Sequence, residues 1–378
     1  MPRLMFVGSV AQPWGAEIAL LSLLVGIRDR ADTTVVLLED GPMADRYKAI
    51  GAEVVILPFN RRALTASRHV SLRTVATGGS FFVCTLRLAA MIRHRKPDVV
   101  LGNSLRGTFI AGLASRLAQR PFIWMARDRL STEYLGRPSR IILRTLLRVT
   151  SAGVISNSKA TAETLPFHPR TLVMHDPLAT EFVKTTSSHP TTEIRTVGIV
   201  GRLVEWKGHA LFLRAFARVF RGTPTQARIV GGGSGSDEVT ASELRELATQ
   251  LGVGDQVQFT GHVDAMLQEY QKLDICVHAS TIAEPFGQVV AEALASGCLV
   301  IATNAGGPAE LIQHELNGLT FEMGSEESLA KTLWVASQLP TEVRTAMTAR
   351  GRATGMSLEP VATGTKFLEF LATVSEQR

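Results

Sequence analysis

Two α/β domains in tandem, each a parallel sheet covered by helices, are what this sequence predicts. Short β-rich runs alternate with helical stretches through the first half and again through the second, the pattern of parallel sheets with crossover helices. A stretch rich in Pro, Ser and Thr at residues 177–190 separates the two series. The 378 residues, 45% hydrophobic and 20% charged, suffice for two domains with separate cores.

In the first half the β-rich runs fall at 4–7, 34–38, 54–57, 99–101, 122–124, 154–156 and 172–174. After the first run, Gly15-Ala16-Glu17 leads into apolar residues 18–27, a helix whose start belongs at the carboxyl edge of the sheet. Gly15 there is either a turn residue or a point where a phosphate approaches the backbone. Residues 59–80 form a long polar connection carrying Arg61, Arg62, Arg68, His69 and Arg73. Loops of that length are usually functional or mobile, and its charge suits capture of an acceptor. Arg137, Arg140, Arg144 and Arg148 recur at helical spacing beside Ile141, Ile142, Leu143, Leu146 and Leu147. Such a helix either packs its apolar stripe on its own domain, the commoner use, or rests on anionic lipid.

The second series of runs falls at 197–200, 227–230, 257–259, 275–277, 299–302 and 319–321. Helical periodicity returns at 358–376, and this last segment is expected to cross back to the first domain. The division is therefore 1–178, a linker at 179–194, a second domain at 195–357 and a terminal helix at 358–378, with the two domains expected to face each other across a cleft.

Charge is unevenly placed. Residues 1–180 hold 24 Lys+Arg against 12 Asp+Glu, the remainder 16 against 22, so the halves carry +12 and −6. A basic first half suits nucleic acid, anionic lipid or acidic small molecules. Nucleic acid is disfavoured, because only 6% of residues are aromatic and neither paired zinc ligands nor an RNP motif appears. Cys84, Cys276 and Cys298 are too few and too scattered for a disulfide framework, which points to a reducing compartment, the cytoplasm. No apolar run approaches the roughly 18 residues that span a bilayer, so membrane contact would be peripheral, at the inner face. Pro13, Gly15 and Glu17 interrupt the apolar start, which reads as a buried strand in preference to a secretory signal.

The functional centre is expected at residues 284–292, Glu-Pro-Phe-Gly-Gln-Val-Val-Ala-Glu, together with 201–208, Gly-Arg-Leu-Val-Glu-Trp-Lys-Gly. Pro285 and Gly287 disfavour helix, while Val289, Val290, Ala293 and Leu294 recur at helical spacing, so a helix should begin near Gln288. The amides of Phe286, Gly287 and Gln288 then lie where a helix lacks internal acceptors, a ready site for an anion. Glu284 before the helix and Glu292 one turn inside it accept well from vicinal hydroxyls of a ribose or a sugar ring. Arg202 and Lys207 combine a planar fork of donors with a mobile point charge, a pairing suited to a diphosphate. Gly208 stands where a P-loop would need Ser or Thr, and Gly231-Gly232-Gly233-Ser234-Gly235 lacks the full dinucleotide-binding order. A tight turn under a ligand is the expected role of Gly233.

These segments resemble the retaining glycosyltransferases of family 4, which have the GT-B fold. The resemblance covers nearly the whole chain: Gly15-Ala16-Glu17 is similar to the family's amino-terminal glycine loop, Gly201-Arg202-Leu203 with Lys207-Gly208 to its diphosphate clamp, Gly261-His262-Val263 to the loop near the base, and Glu284 to Glu292 to its Glu-x7-Glu motif. It implies that Arg202 and Lys207 hold the leaving diphosphate and that Glu292 binds the ribose. Glu284 would contact the donor sugar and support charge at its anomeric carbon. Phe286, Gly287 and Gln288 would supply amides, and Val263 would lie near the base.

No metal or other cofactor is then required. The resemblance implies a nucleotide diphosphate sugar as donor and a glycan or lipid-linked acceptor, with a role in cell-surface polysaccharide or glycolipid synthesis. An epimerase or hydrolase of the same fold, or a silent nucleotide-sugar binder, is the alternative. One departure stands out: many relatives place a His after the fifth strand of the first domain, where this chain has Arg127 and Asp128. With Arg61 and Arg62, these are the acceptor-side candidates.

Overall fold

The computed structural model describes residues 1–59, 74–184, 193–232 and 240–375. Arg61, Arg62 and Gly233, with most of the long basic connection, lie outside the described residues. The chain forms two compact units, Met1–Ala179 with Glu359–Arg378, and Thr180–Leu358.

The first unit holds a seven-stranded sheet of β1 (Arg3–Gly8), β2 (Asp32–Leu37), β3 (Glu53–Ile56), β4 (Val99–Gly102), β5 (Phe122–Ala126), β6 (Gly153–Ser156) and β7 (Thr171–Val173). Its order is β3-β2-β1-β4-β5-β6-β7, with every pairing parallel. Each expected run of this half became a strand. The reason is burial on both faces: β4 and β5 are buried at every position, so their sequences read as unbroken apolar runs.

Alternate side chains of these strands serve two cores. Met5, Val7, Val100 and Trp124 pack with Ile110 and Leu143 on one face, while Leu4, Phe6, Leu101 and Met125 pack with Leu20 and Phe367 on the other. Phe367 belongs to the last helix, Pro360–Ser375, and stacks on Phe6 with ring centroids 6.1 Å apart. The same helix lies against Gly15–Ile27, where Arg30 donates to Thr365 Oγ1 at 2.8 Å. The end of the chain is thus part of the first unit's core.

The second unit holds β8 (Thr196–Val200), β9 (Gln226–Val230), β10 (Val257–Gly261), β11 (Ile275–His278), β12 (Leu299–Thr303) and β13 (Leu319–Phe321). The order β10-β9-β8-β11-β12-β13 is again wholly parallel. Both sheets are Rossmann-like, and each reverses strand order beside its first strand, at β1/β4 and at β8/β11. Ligands of open α/β sheets bind outside the carboxyl ends of the strands at such a point. Within the stretch expected as linker, Thr180–Lys184 is helical, and Phe182 is buried with its ring 5.8 Å from that of Tyr270. An apolar anchor inside a polar stretch explains why composition alone read this segment as linker.

Candidate functional site

At the carboxyl edge of the second unit, Gly201 and Arg202 follow β8 directly, with Arg202 exposed. A single helical turn, Glu205–Lys207, then ends at Gly208 with φ +75. A Cβ on Gly208 would stand 2.0 Å from the Ala279 carbonyl oxygen. Only glycine meets both demands, and it brings the Lys207 turn against the end of β11. A bond from the Thr281 amide to the Trp206 carbonyl at 2.8 Å holds the two segments together. Lys207 Nζ sits 4.6 Å from the Trp206 ring centroid.

Glu284, 6% exposed, is the focus of this edge. Lys207 Nζ donates to its Oε1 at 2.7 Å, His278 Nε2 lies 2.8 Å from the same oxygen, and the Ser280 hydroxyl also donates to it. Burial alone would raise this carboxyl, but Lys207 and His278 outweigh burial and hold it well below the usual carboxylate range. Thr303 Oγ1, at the end of β12, reaches His278 Nδ1 at 3.4 Å. Sequence reasoning did not select His278 or Ser280. Their signal was position, since both sit at the carboxyl end of a strand beside the switch point.

The helix after Glu284 begins at Gln288, as expected, and runs Gln288–Ala295. Gly287 precedes it with φ +88, against the Pro308 ring. The Gly307 amide donates to the Glu284 carbonyl at 2.9 Å, so the loop after β12 braces the loop that carries Glu284. Phe286 and Gly287 are buried and Gln288 is half-buried. Glu292 lies one turn along, where it accepts from the Tyr270 hydroxyl at 2.9 Å. Burial, partly offset by that bond, pushes the Glu292 carboxyl up to about 7. Val263 is half-buried in the loop after β10. Lys207 and Glu284 are thus brought into direct contact, while Glu292 is held by a separate partner.

The carboxyl edge of the first unit differs in kind. Gly15 is exposed, and a Cβ there would meet nothing within 4 Å. Glu17, two residues on, is 4% exposed, and burial pushes its carboxyl up to about 8. Arg127 does not project from this edge: its side chain is 4% exposed, paired with Asp176 and donating from Nε to Asn103 Oδ1 at 3.0 Å. Asn157 Nδ2 donates to the other Asp176 oxygen at 3.2 Å. Burial pushes Asp176 up against the pull of Arg127 and Asn157. These bonds tie together the ends of β4, β5, β6 and β7. Asp128, half-buried, is the more accessible of the pair expected here. Among the described residues no group of three or more His, Cys, Asp or Glu has metal-binding spacing.

The fold and this edge define a class: a chain of two Rossmann-like domains with the GT-B architecture. Residues 185–354 match the model of glycosyl transferases group 1. The structure of HepE from Anabaena in complex with UDP and glucose superimposes with a TM-score of 0.84 at 24% identity, over 99% of this chain and 100% of that one. Sucrose-phosphate synthase from Thermosynechococcus elongatus gives 0.77 at 16% identity, over the whole of both chains.

Among curated relatives, an uncharacterised glycosyltransferase of Methanocaldococcus jannaschii is 35% identical over 133 residues, 35% of this chain and 33% of that protein. The lipopolysaccharide core biosynthesis glycosyltransferase LpsE of Rhizobium meliloti is 31% identical over 157 residues, 41% of this chain and 43% of that protein. The matched stretches thus span less than half of these relatives' length.

Proposed function

We propose that the protein is a retaining glycosyltransferase of family 4, moving a sugar from a nucleotide diphosphate sugar to an acceptor hydroxyl without a metal ion. The observation that carries this reading is the convergence of Lys207, His278 and Ser280 on one oxygen of Glu284, beside the start of the Gln288–Ala295 helix. An ionised carboxylate held rigid in a buried edge stabilises positive charge growing at an anomeric carbon. Arg202, Lys207 and the helix start neutralise the leaving diphosphate, and Glu292 takes the ribose hydroxyls.

In this reading the bond from the anomeric carbon to the phosphate oxygen breaks as the acceptor oxygen bonds to that carbon from the same face. The departing phosphate oxygen receives the acceptor proton, so no separate base is required. The acceptor is a glycan or a lipid-linked intermediate of cell-surface polysaccharide or glycolipid synthesis, a role in keeping with the lipopolysaccharide function named for LpsE. Three buried thiols, Cys84, Cys276 and Cys298, fit a cytoplasmic setting.

The test is thermal melting in EDTA with UDP, GDP, ADP and dTDP sugars, each beside its free nucleotide. UDP sugars come first, because HepE was solved with UDP-glucose. A ligand at 100 times its Kd adds about 2.7 kcal/mol of stability. One nucleotide series should raise the melting temperature without metal. A shift that appears only with added metal removes the metal-independent clamp, and donor consumption without acceptor would make the protein an epimerase or hydrolase.

A further inference from the structure

One oxygen of the Glu292 carboxyl is already taken. The Tyr270 hydroxyl donates to Oε2 at 2.9 Å, from the last residue of the short helix Met266–Tyr270. Tyr270 is fully buried, and three contacts fix its place. The Phe182 ring meets its ring edge-on with centroids 5.8 Å apart, the Leu273 amide donates to its carbonyl at 3.0 Å, and Cys298 Sγ donates to the same carbonyl at 3.2 Å. A tyrosine hydroxyl has one proton to give, and here it goes to the half-buried Glu292. So firmly held a donor sets the direction in which the carboxyl faces.

The surroundings also set its charge. Burial pushes the Glu292 carboxyl up to about 7 against the pull of Tyr270, and Glu181, exposed on the helix Thr180–Lys184, adds to the rise. Other titratable neighbours have their own partners. Glu269, beside Tyr270, pairs with Arg228 and Lys272, and His278 of β11 serves Glu284. Cys276 and Cys298 are thiols that burial keeps protonated. Glu310 and Arg344 stand on the other two helices packed against Gln288–Ala295 and are not among the charges that act on Glu292. Hydroxyls donate well to an ionised carboxylate and poorly to a protonated one, so a vicinal diol that binds here drives the carboxyl proton out to solvent.

We propose that Tyr270 is a positioning residue for Glu292, and that the pair makes binding of the nucleotide sugar release a proton, so that the donor is held more tightly as pH rises from 6 to 8. This rests on the reading of Glu292 as the ligand of the ribose hydroxyls. Tyr270 touches no reacting atom. It acts through Glu292, by favouring the ionised carboxylate and by turning it to the ligand.

The test is titration calorimetry between pH 6 and pH 8.5 with UDP-glucose, or with whichever GDP, ADP or dTDP sugar raises the melting temperature, in two buffers of different ionisation enthalpy. The diester phosphates of such a donor carry no proton in this range and add nothing to the count. The unaltered chain should bind about tenfold more weakly at pH 6 than at pH 8 and release about half a proton at pH 7. Tyr270→Phe keeps the ring against Phe182 and removes the hydrogen bond. Its midpoint should move up by about one pH unit, the worth of a hydrogen bond to a charged group. Binding is then about fivefold weaker at pH 7 and largely restored at pH 8.5. Glu292→Gln should bind at least about tenfold more weakly at pH 8 and lose the proton release.

A Tyr270→Phe midpoint that coincides with that of the unaltered chain overturns the proposal, as does a loss of equal size at every pH, which is what a packing role alone would give. Glu292→Gln leaves Tyr270 untouched and tests the proton separately: release that continues in this variant also overturns the proposal. A Glu292→Gln chain that binds the donor as tightly as the unaltered one is a different failure, because it takes Glu292 off the ribose and removes the reading on which the inference rests. Binding of none of these sugars is a failure of that second kind.

Discussion

Glu17 and Glu284 are both buried carboxyls at the carboxyl edge of a Rossmann-like sheet, and they take opposite charge states near neutral pH. Exposure is 4% for one and 6% for the other, so depth does not separate them. Donors do. Glu284 has an ammonium, an imidazole and a hydroxyl on a single oxygen, and these overcome burial. Glu17 has burial as its largest influence, against which its own backbone bond and the charge of Arg127 are too weak. Arg127 is already engaged by Asp176 and Asn103, and Asp128 and Glu39 push Glu17 further up. Glu284 is thus an ionised carboxylate at the second unit's edge, while Glu17 is a neutral acid at the first unit's edge.

The largest effect should come from removing the ammonium. Lys207→Ala strips the main counter-charge from a carboxylate whose side chain is 8% exposed, beside a lysine 13% exposed. Breaking a buried pair in this way costs about 3 to 5 kcal/mol. In the proposed reading Lys207 also contacts the leaving diphosphate, and loss of that charge-assisted contact should lower turnover roughly ten- to hundredfold. Urea denaturation and steady-state turnover read the two separately. Turnover within twofold of the unaltered enzyme would remove Lys207 from the diphosphate clamp and leave it only as a partner of Glu284.

Next in size is the pH dependence of Glu17. Its carboxyl binds a proton more tightly in the folded protein, about 8 against 4.5. The folded state therefore holds more protons than the unfolded state between those values, and stability falls as pH rises from about 4.5 toward 8. Glu17→Gln removes that dependence. Relative to the unaltered chain, the variant should gain roughly 1 kcal/mol per pH unit across this window, on the order of 2 kcal/mol between pH 6 and 8. Melting curves at matched ionic strength check this. A variant that tracks the unaltered chain at every pH would show Glu17 to be ionised, and the contrast with Glu284 would disappear.

Much of this architecture was legible in the sequence, because strands buried on both faces leave continuous apolar runs that alternation with helices then orders. The start of the 288–295 helix was legible too, from Pro285, Gly287 and the spacing of Val290, Ala293 and Leu294. What could not be read was pairing at a distance. Lys207 and Glu284 were each singled out, yet their bond joins residues 77 apart and depends on the close approach of Gly208 to Ala279. Arg127 was read as an acceptor-side candidate for the same reason, since its partner Asp176 lies 49 residues away on the far side of two strands. Local pattern carries no information about such contacts.

The smallest effect, and the sharpest test of why Glu284 differs from Glu17, concerns His278. It touches no reacting atom in the proposed chemistry, so it is a positioning residue, 3% exposed and held between Glu284 and Thr303. His278→Leu removes one of three donors and should lower kcat by about tenfold, near the 1.5 kcal/mol of a hydrogen bond to a charged group. The KM for the donor should move by less than about twofold, because the bond orients a carboxylate whose effect is felt in the transition state. His278→Gln keeps an N–H that reaches as far as Nε2 and should restore most of kcat, which a purely volumetric role for the ring would not explain. If Leu and Gln behave alike, the third donor is dispensable and Lys207 with Ser280 is enough to keep Glu284 ionised.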